Sequence, residues 1–313
     1  MTVLATPSII EGRAGRASRL PQFTLVGPEN APVIVVLGGI SATKHVVTSS
    51  EQPGWWSGVA GDGRAIDTTR FRVLGIDFMD AGRDTTGRPR HIVTTHDQAL
   101  ALARILRYRG IGCVDAIVGS SYGGMVGLAF AERFGARVNR LVILSAAHEA
   151  DPMSTALRTL QRRIVELGLE TGRADEAMGI ARGVAMTTYR TAAEFAERFA
   201  AAPLSLSNND ARFEVDDYLR DRGSRFASVS TPERFLALSL SADLHRVDPR
   251  RITVPTTLVS AEGDTIVPRA QMDALAARLA GPNHLVRLPT RVGHDAFLVE
   301  TERVSRIVSA ALS

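Results

Sequence analysis

The stretch AIVGSSYGGMVGLAFA, residues 116–131, constrains the fold of this 313-residue chain more than any other. A short apolar run reads as a strand (116–120), passes through a turn of small residues, and continues as a helical pattern to about residue 134. The turn carries Gly-x-Ser-x-Gly as Gly119, Ser120, Ser121, Tyr122 and Gly123. The neighbouring segments have the same rhythm. VIVVL (33–37), FRVLGI (71–76) and LVILS (141–145) read as buried strands, and HDQALALARILRYRG (96–110) has helical spacing. Thr95 is the expected N-cap of that helix and Gly110 its stop. Strands alternating with helices predict an α/β fold with a mostly parallel, doubly wound sheet.

After residue 148 the pattern changes. Residues 149–248 read as helical segments with no buried strand. The strand–helix alternation then returns with TTLVSAEGD (256–264), QMDALAARLA (271–280) and HLVRLPT (284–290), and DAFLVETERVSRIVSAAL reads as a closing helix. The expected organisation is an N-terminal arm over 1–20, a core from 21–148 and 249–313, and an inserted helical cap over 149–248. A cap over the carboxyl edge of a parallel sheet is placed to act as a substrate lid.

Composition narrows the function. The net charge of +4 is interspersed rather than blocked, and aromatics are only 5%, so the basic stripe with stacking rings that nucleic acid requires is missing. The chain has no apolar run of membrane-spanning length, and its start breaks at Glu11 and Gly12 rather than forming a signal sequence. A protein without a membrane partner, in the cytoplasm, is expected. The single cysteine, Cys113, excludes an intrachain disulfide and is expected to be a small buried apolar residue. The sequence has no His/Cys/Asp cluster with zinc spacing and no phosphate-binding Gly-x-x-x-x-Gly-Lys-[Ser/Thr], so no metal site is expected.

The Gly-x-Ser-x-Gly turn makes Ser121 the candidate nucleophile, because a tight strand-to-helix turn needs small residues two positions to either side. Ser120 lacks a glycine two residues before it. A serine hydroxyl needs a base, and the base needs an orienting acid. Asp264 follows the strand TTLVSAEG, and His294 follows a later strand, which is the order Ser, acid, His of an α/β hydrolase. His45, His91, His96, His148, His245 and His284 fit the base position less well. The oxyanion of a tetrahedral intermediate needs two backbone donors. Tyr122, directly after the nucleophile, is expected to supply one, and Ile40 in GGIS (38–41) the other.

The triad fixes acyl transfer but leaves the acceptor open. Several segments resemble the MetX-type homoserine O-acyltransferases of the α/β-hydrolase superfamily. They are GWWSGVAGDGRAIDTTRFRVL (54–74), GSSYGGM, LQRRIV (160–165), ARGVAMTTYR (181–190), VDDYLRDRGSRF (215–226), FLALSLSADLHRVD (235–248) and GHDAFLVE (293–300). The resemblance implies a ping-pong O-acylation of L-homoserine in methionine synthesis, with acetyl-CoA or succinyl-CoA as co-substrate, no resident cofactor, and a homodimer formed through the cap. The mild positive charge suits such an anionic donor. By match to the family motifs, Arg182 and Tyr189 would hold the amino acid's carboxylate and Asp295 its ammonium. A zwitterion needs one partner of each sign, and a charge-assisted pair at each end orients its hydroxyl. Arg162 and Arg163 are open between a substrate role and a plain surface role.

The chain departs from the family pattern at Gly38-Gly39-Ile40-Ser41, where His-Ala-Leu-Thr is usual, and in the loop IDFMDAGRDTTGR (76–88). It also lacks the Arg that succinyl-using relatives often carry two residues after the triad acid, where Ile266 stands here. That leans toward acetyl, with Arg83, Arg88 or Arg269 as alternative partners for a succinyl carboxylate. L-serine as acceptor and a serine esterase using water are the alternative readings.

Overall fold

The computed structural model describes residues 20–313, together with a two-residue antiparallel ladder between Ile10–Glu11 and Ala17–Ser18. The arm expected over 1–20 otherwise lies outside the described residues. Seven strands form the central sheet: β1 (Phe23–Val26), β2 (Val33–Leu37), β3 (Arg72–Ile76), β4 (Val114–Ser120), β5 (Val138–Leu144), β6 (Thr256–Ala261) and β7 (Asn283–Leu288). Their order is β7-β6-β5-β4-β2-β3-β1, and every pairing is parallel except β1 with β3. The chain is therefore an α/β protein with a mostly parallel, doubly wound sheet.

The unbroken apolar strands follow from burial on both faces. Along β2, Val33, Val35 and Leu37 pack into one core layer, and Ile34 and Val36 into the other. The first layer is closed by α1 (Thr95–Tyr108), α2 (Tyr122–Phe134) and α8 (Arg269–Arg278), through Leu102, Ile105, Val126, Phe130 and Met272. The second is closed by α10 (Thr301–Leu312), whose buried Val304, Val308 and Leu312 recur every fourth residue, and by Trp56. Burying each such side chain is worth about 1.5–3 kcal/mol over leaving it in water.

Local details differ from the sequence expectation. The N-cap of α1 is Thr94, not Thr95: Thr94 and Asp97 form a reciprocal capping box, which needs an acid three residues after the cap. Thr95 is buried, and its hydroxyl meets His245 Nδ1 at 2.8 Å. The closing helix is interrupted. A 3-10 turn (Gly293–Asp295) precedes α9 (Ala296–Val299), and α10 starts only after Glu300 leaves helical geometry at ψ 49°. Cys113 is exposed rather than buried, since it stands just before β4 at the end of the sheet; its Sγ lies 3.3 Å from Asn139 Oδ1.

Five helices lie between β5 and β6: α3 (Pro152–Glu170), α4 (Ala174–Tyr189), α5 (Ala192–Arg198), α6 (Glu214–Ala227) and α7 (Pro232–Asp243). The strand pairing described in this stretch is a two-residue, exposed ladder at Ser205–Leu206 and Ala211–Arg212. The helices are tied to the loops at the sheet's carboxyl edge. Ser154 Oγ donates to Ile266 O at 3.0 Å, Thr265 Oγ1 donates to Thr188 O at 3.0 Å, and the Tyr122 and Ser241 hydroxyls meet at 2.7 Å. Among the described residues no helix is long and apolar enough to cross a membrane.

Candidate active site

Ser121 sits at the carboxyl end of β4, at the bend into α2, with φ 51° and ψ −122°. This is sterically costly backbone for a residue with a side chain, and the surroundings hold it there. Ser121 N donates to Leu144 O, and Gly123 N donates to Gly38 O, both at 2.9 Å. The two glycines of the motif are required by close approach. A Cβ on Gly119 would stand 2.5 Å from Gly123 O, and one on Gly123 would stand 2.2 Å from Leu37 O. Ser120 faces the other way: it is buried, its hydroxyl has no partner among the described residues, and it does not line the cleft that Ser121 lines.

The chain brings Ser121, His294 and Asp264 together from three loops at the sheet's carboxyl edge. His294 Nε2 lies 2.8 Å from Ser121 Oγ, and His294 Nδ1 lies 2.9 and 3.0 Å from the two Asp264 oxygens. A carboxylate only accepts, so Nδ1 carries the proton and Nε2 accepts from the Ser121 hydroxyl. Asp264 is itself fixed, its Oδ1 accepting from Ile266 N and Val267 N at 2.9 Å each. Burial works against a charge on His294, but the Asp264 charge and hydrogen bond and the nearby Asp295 charge outweigh it, so its pKa is raised. In two other buried histidines burial prevails, although Glu149 lies 3.6 Å from His148. His245 is pushed down to about 3 by burial and spends its ring on Thr95 and the Ala147 carbonyl, and His148 is lowered for the same reason.

Ser121 and His294 open onto a cleft of about 190 Å3. Ile40 and Tyr122 both line it beside Ser121. Tyr122 is the first residue of α2, so its amide has no acceptor four residues back and lies at the positive end of the helix. Its phenol is structural: burial pushes it up to about 12, and it is hydrogen-bonded to Ser241. The Trp pair divides its work. Trp55 lines the cleft, while Trp56 stacks on it at 5.3 Å and donates from Nε1 to Phe297 O at 2.8 Å, anchoring the segment after His294.

Arg182, Tyr189 and Asp295 all line the same cleft. The Arg182 guanidinium carbon lies 5.2 Å from the Tyr189 ring centroid and 5.1 Å from that of Phe226, and no carboxylate pairs with it among the described residues. Asp295 has a partner that sequence reasoning missed: Arg190 Nε lies 3.1 Å from it, while Arg190 Nη1 lies 3.0 Å from Glu194. Also missed were Arg158, which lines the cleft, and the cluster it forms with Asp243 and Arg162 at 2.6 and 2.5 Å. Arg163 is exposed. Arg83 and Arg269, weighed with Arg88 as partners for a donor carboxylate, are exposed, Arg88 is half-buried, and none of the three lines the cleft; Arg88 pairs with Glu170 and Arg269 with Asp273.

Residues 32–301 match the family described as the alpha/beta hydrolase fold. Over 301 residues the chain is 42% identical to a homoserine O-succinyltransferase of Xanthomonas campestris pv. campestris, which covers 96% of this chain and 80% of that protein. Among solved structures, the fold is similar to esterase E22, with a TM-score of 0.84 at 18% identity over 99% of this chain and 98% of that one. It is equally similar to a homoserine O-acetyltransferase from Bacillus anthracis, with a TM-score of 0.82 at 15% identity over 100% of this chain and 96% of that one. By the family match, the identity to the Xanthomonas protein and the fold, the chain is an enzyme that belongs to the α/β-hydrolase fold family and, within it, to the homoserine O-acyltransferases.

Proposed function

We propose that this protein transfers an acyl group from an acyl-CoA to the hydroxyl of L-homoserine by a ping-pong mechanism. The observation that carries the reading is the placement of Arg182, without a carboxylate partner among the described residues, and Asp295 in one cleft with Ser121 and His294. A hydrolase that uses water has no need of a cation and an anion there, whereas an amino-acid zwitterion needs both. The 42% identical relative named homoserine O-succinyltransferase supports the same acceptor.

In the first half-reaction the Ser121 hydroxyl attacks the thioester carbonyl as its proton passes to His294 Nε2. The oxyanion is held by the amides of Tyr122 and Ile40. The C–S bond then breaks, and the leaving thiolate takes the proton from His294, which gives free CoA and an acyl ester on Ser121. Asp264 holds the imidazole in the tautomer needed and stabilises the imidazolium that forms. In the second half-reaction the amino acid's carboxylate pairs with Arg182 beside Tyr189, and its ammonium with Asp295. Its hydroxyl loses a proton to His294 and attacks the ester, and the Ser121 oxygen takes that proton back as the product leaves. Nucleophile, base and oxyanion donors all come from the chain, so no resident cofactor or metal is required. The product is an activated amino acid on the way to methionine, made by a cytoplasmic homodimer. Exposed Met153, Leu160 and Leu167 along the outer face of α3 are consistent with such a contact through the cap.

The test is thiol release from acyl-CoA with no amino acid, with L-homoserine, and with L-serine. Release that depends on L-homoserine supports the reading, release that depends on L-serine alone moves the acceptor, and release that ignores both makes the protein an esterase.

A further inference from the structure

We infer that Arg158 is the receptor for a carboxylate at the far end of the donor acyl group, so that the cleft selects a dicarboxylic acyl-CoA of succinyl type over acetyl-CoA. The inference rests on the acyltransferase reading above and deepens it.

The cleft holds two arginines with different surroundings. Arg182 lies between aromatic rings and is assigned to the acceptor's single carboxylate, which leaves Arg158 without a task in the acceptor half-reaction. Arg158 Nε lies 2.6 Å from Asp243 Oδ1, and Arg162 Nη1 lies 2.5 Å from Asp243 Oδ2 and 3.0 Å from Ser239 Oγ. Two guanidiniums thus share one carboxylate, and the trio carries a net positive charge with side-chain exposures of only 13%, 14% and 6%. A poorly solvated net charge is costly unless an anion joins it. If the cluster served only to tie α3 to α7, Arg162 with Asp243 would complete the pair and Arg158 would be surplus. Instead, Arg158 turns toward the cleft.

Its position is on the acyl side. Ser154, one helical turn before Arg158 on α3, donates to the Ile266 carbonyl, so this face of the helix lies against the loop that follows Asp264. Ile266 and Val267 from that loop line the same cleft as Ser121, together with Met125 and Ala242. The wall is apolar and suits methylenes, with Arg158 as its cation. The Arg158 charge also reaches His294, where it opposes protonation of the imidazole. A two-carbon acyl group would leave that cation unmet, whereas a four-carbon acyl group ending in a carboxylate would fill the wall and meet it.

The experiment measures acylation of the enzyme, without acceptor, by intact mass against time for acetyl-, butyryl- and succinyl-CoA. Wild type is compared with Arg158→Gln and Arg158→Lys. Wild type is expected to acylate fastest with succinyl-CoA, and Arg158→Gln to lower the succinyl-to-butyryl rate ratio by about 10- to 150-fold, the range for one charge-assisted hydrogen bond. Arg158→Lys, which keeps the charge, should retain much of the ratio. Should Arg158→Gln fail to fold, the wild-type donor ratio and competition by free succinate against free butyrate decide the question. A wild-type preference for acetyl-CoA, or an equal fall for all three donors in Arg158→Gln, overturns the inference. Failure of the transferase reading looks different: the acyl-enzyme would form with the donor preference intact, and L-homoserine would not speed its breakdown.

Discussion

On the proposed ping-pong reading, replacing Arg182 with Ala should separate acceptor binding from the chemistry of the first half-reaction. The guanidinium has no carboxylate partner among the described residues and lies over two rings, at 5.2 Å from Tyr189 and 5.1 Å from Phe226. Two consequences follow. Each cation–π contact is worth about 0.5–1 kcal/mol at a partly exposed site, so the variant should lose about 1–2 kcal/mol of stability. For a chain of this size that lowers Tm by about 1.5–3 °C, read by differential scanning calorimetry. The larger effect is on the acceptor. A hydrogen-bonded ion pair to a substrate carboxylate is worth about 1.5–3 kcal/mol, so the L-homoserine KM should rise about 10- to 150-fold. Acylation of Ser121 by acyl-CoA, followed by intact mass in single turnover, should slow far less, because Arg182 is assigned to the other substrate. Arg182→Lys keeps the charge without the planar fork and should fall between. The reasoning is refuted if the homoserine KM moves less than threefold, or if acylation and acceptor KM suffer alike.

Further outcomes follow from the geometry. Ser121→Ala should abolish the covalent acyl adduct while Ser120→Ala forms it, because only Ser121 reaches His294; an adduct on the Ser121 variant would sink the assignment. The rate should fall as pH drops through a value above the ordinary imidazole pKa of 6.5, since His294 must be neutral to act as base and its pKa is raised in the fold. The same shift means that the folded state holds this proton more tightly than the unfolded chain does. That stabilisation is present below about pH 6.5 and lost as pH rises through the folded value. Asp264→Asn removes the charge responsible, so the acidic limb should move to lower pH and the maximal rate should fall by about 10^4-fold; an unmoved limb in a pH–rate profile would contradict the cause given. Gly123→Ala places a methyl group 2.2 Å from the Leu37 carbonyl oxygen, a backbone atom that cannot step aside, so soluble yield and Tm should both drop.

The triad was legible in the sequence because topology fixes it. Ser121, Asp264 and His294 each follow a strand, and strands announce themselves as apolar runs with small residues at their ends. What stayed hidden were contacts that no local pattern encodes. Arg190 meets Asp295 across 105 residues of chain, and Arg158 meets Asp243 across 85. In a sequence this rich in arginine, helix periodicity says which face of α3 turns inward but not which guanidinium meets a carboxylate from α7. Adjacent threonines concealed the cap of α1, since either Thr94 or Thr95 suits the position and only the reach of Asp97 decides. β1 was passed over because four residues after a proline carry too little periodicity, and an edge strand is defined by the neighbour it pairs with.

Fold similarity cannot separate transferase from hydrolase here, because esterase E22 and the Bacillus anthracis acetyltransferase match the chain about equally well, at TM-scores of 0.84 and 0.82. Under the mechanism proposed above, the choice between acceptors falls in the second half-reaction, where water and an amino-acid hydroxyl would compete for one ester on Ser121. Water is abundant but has no handle, whereas under that proposal an amino acid would be held at both ends, by Arg182 and by Asp295. Two charge-assisted pairs at about 1.5–3 kcal/mol each supply roughly 3–6 kcal/mol of positioning, or about 10^2- to 10^4-fold. The isolated acyl-enzyme should therefore persist in buffer and break down at least about a hundredfold faster when millimolar L-homoserine is added. The Arg182→Ala/Asp295→Asn double variant should bring the two rates to within several-fold. Breakdown of the wild-type acyl-enzyme that is as fast in buffer alone would show that the charged ends of the cleft serve some other ligand and that water is the acceptor.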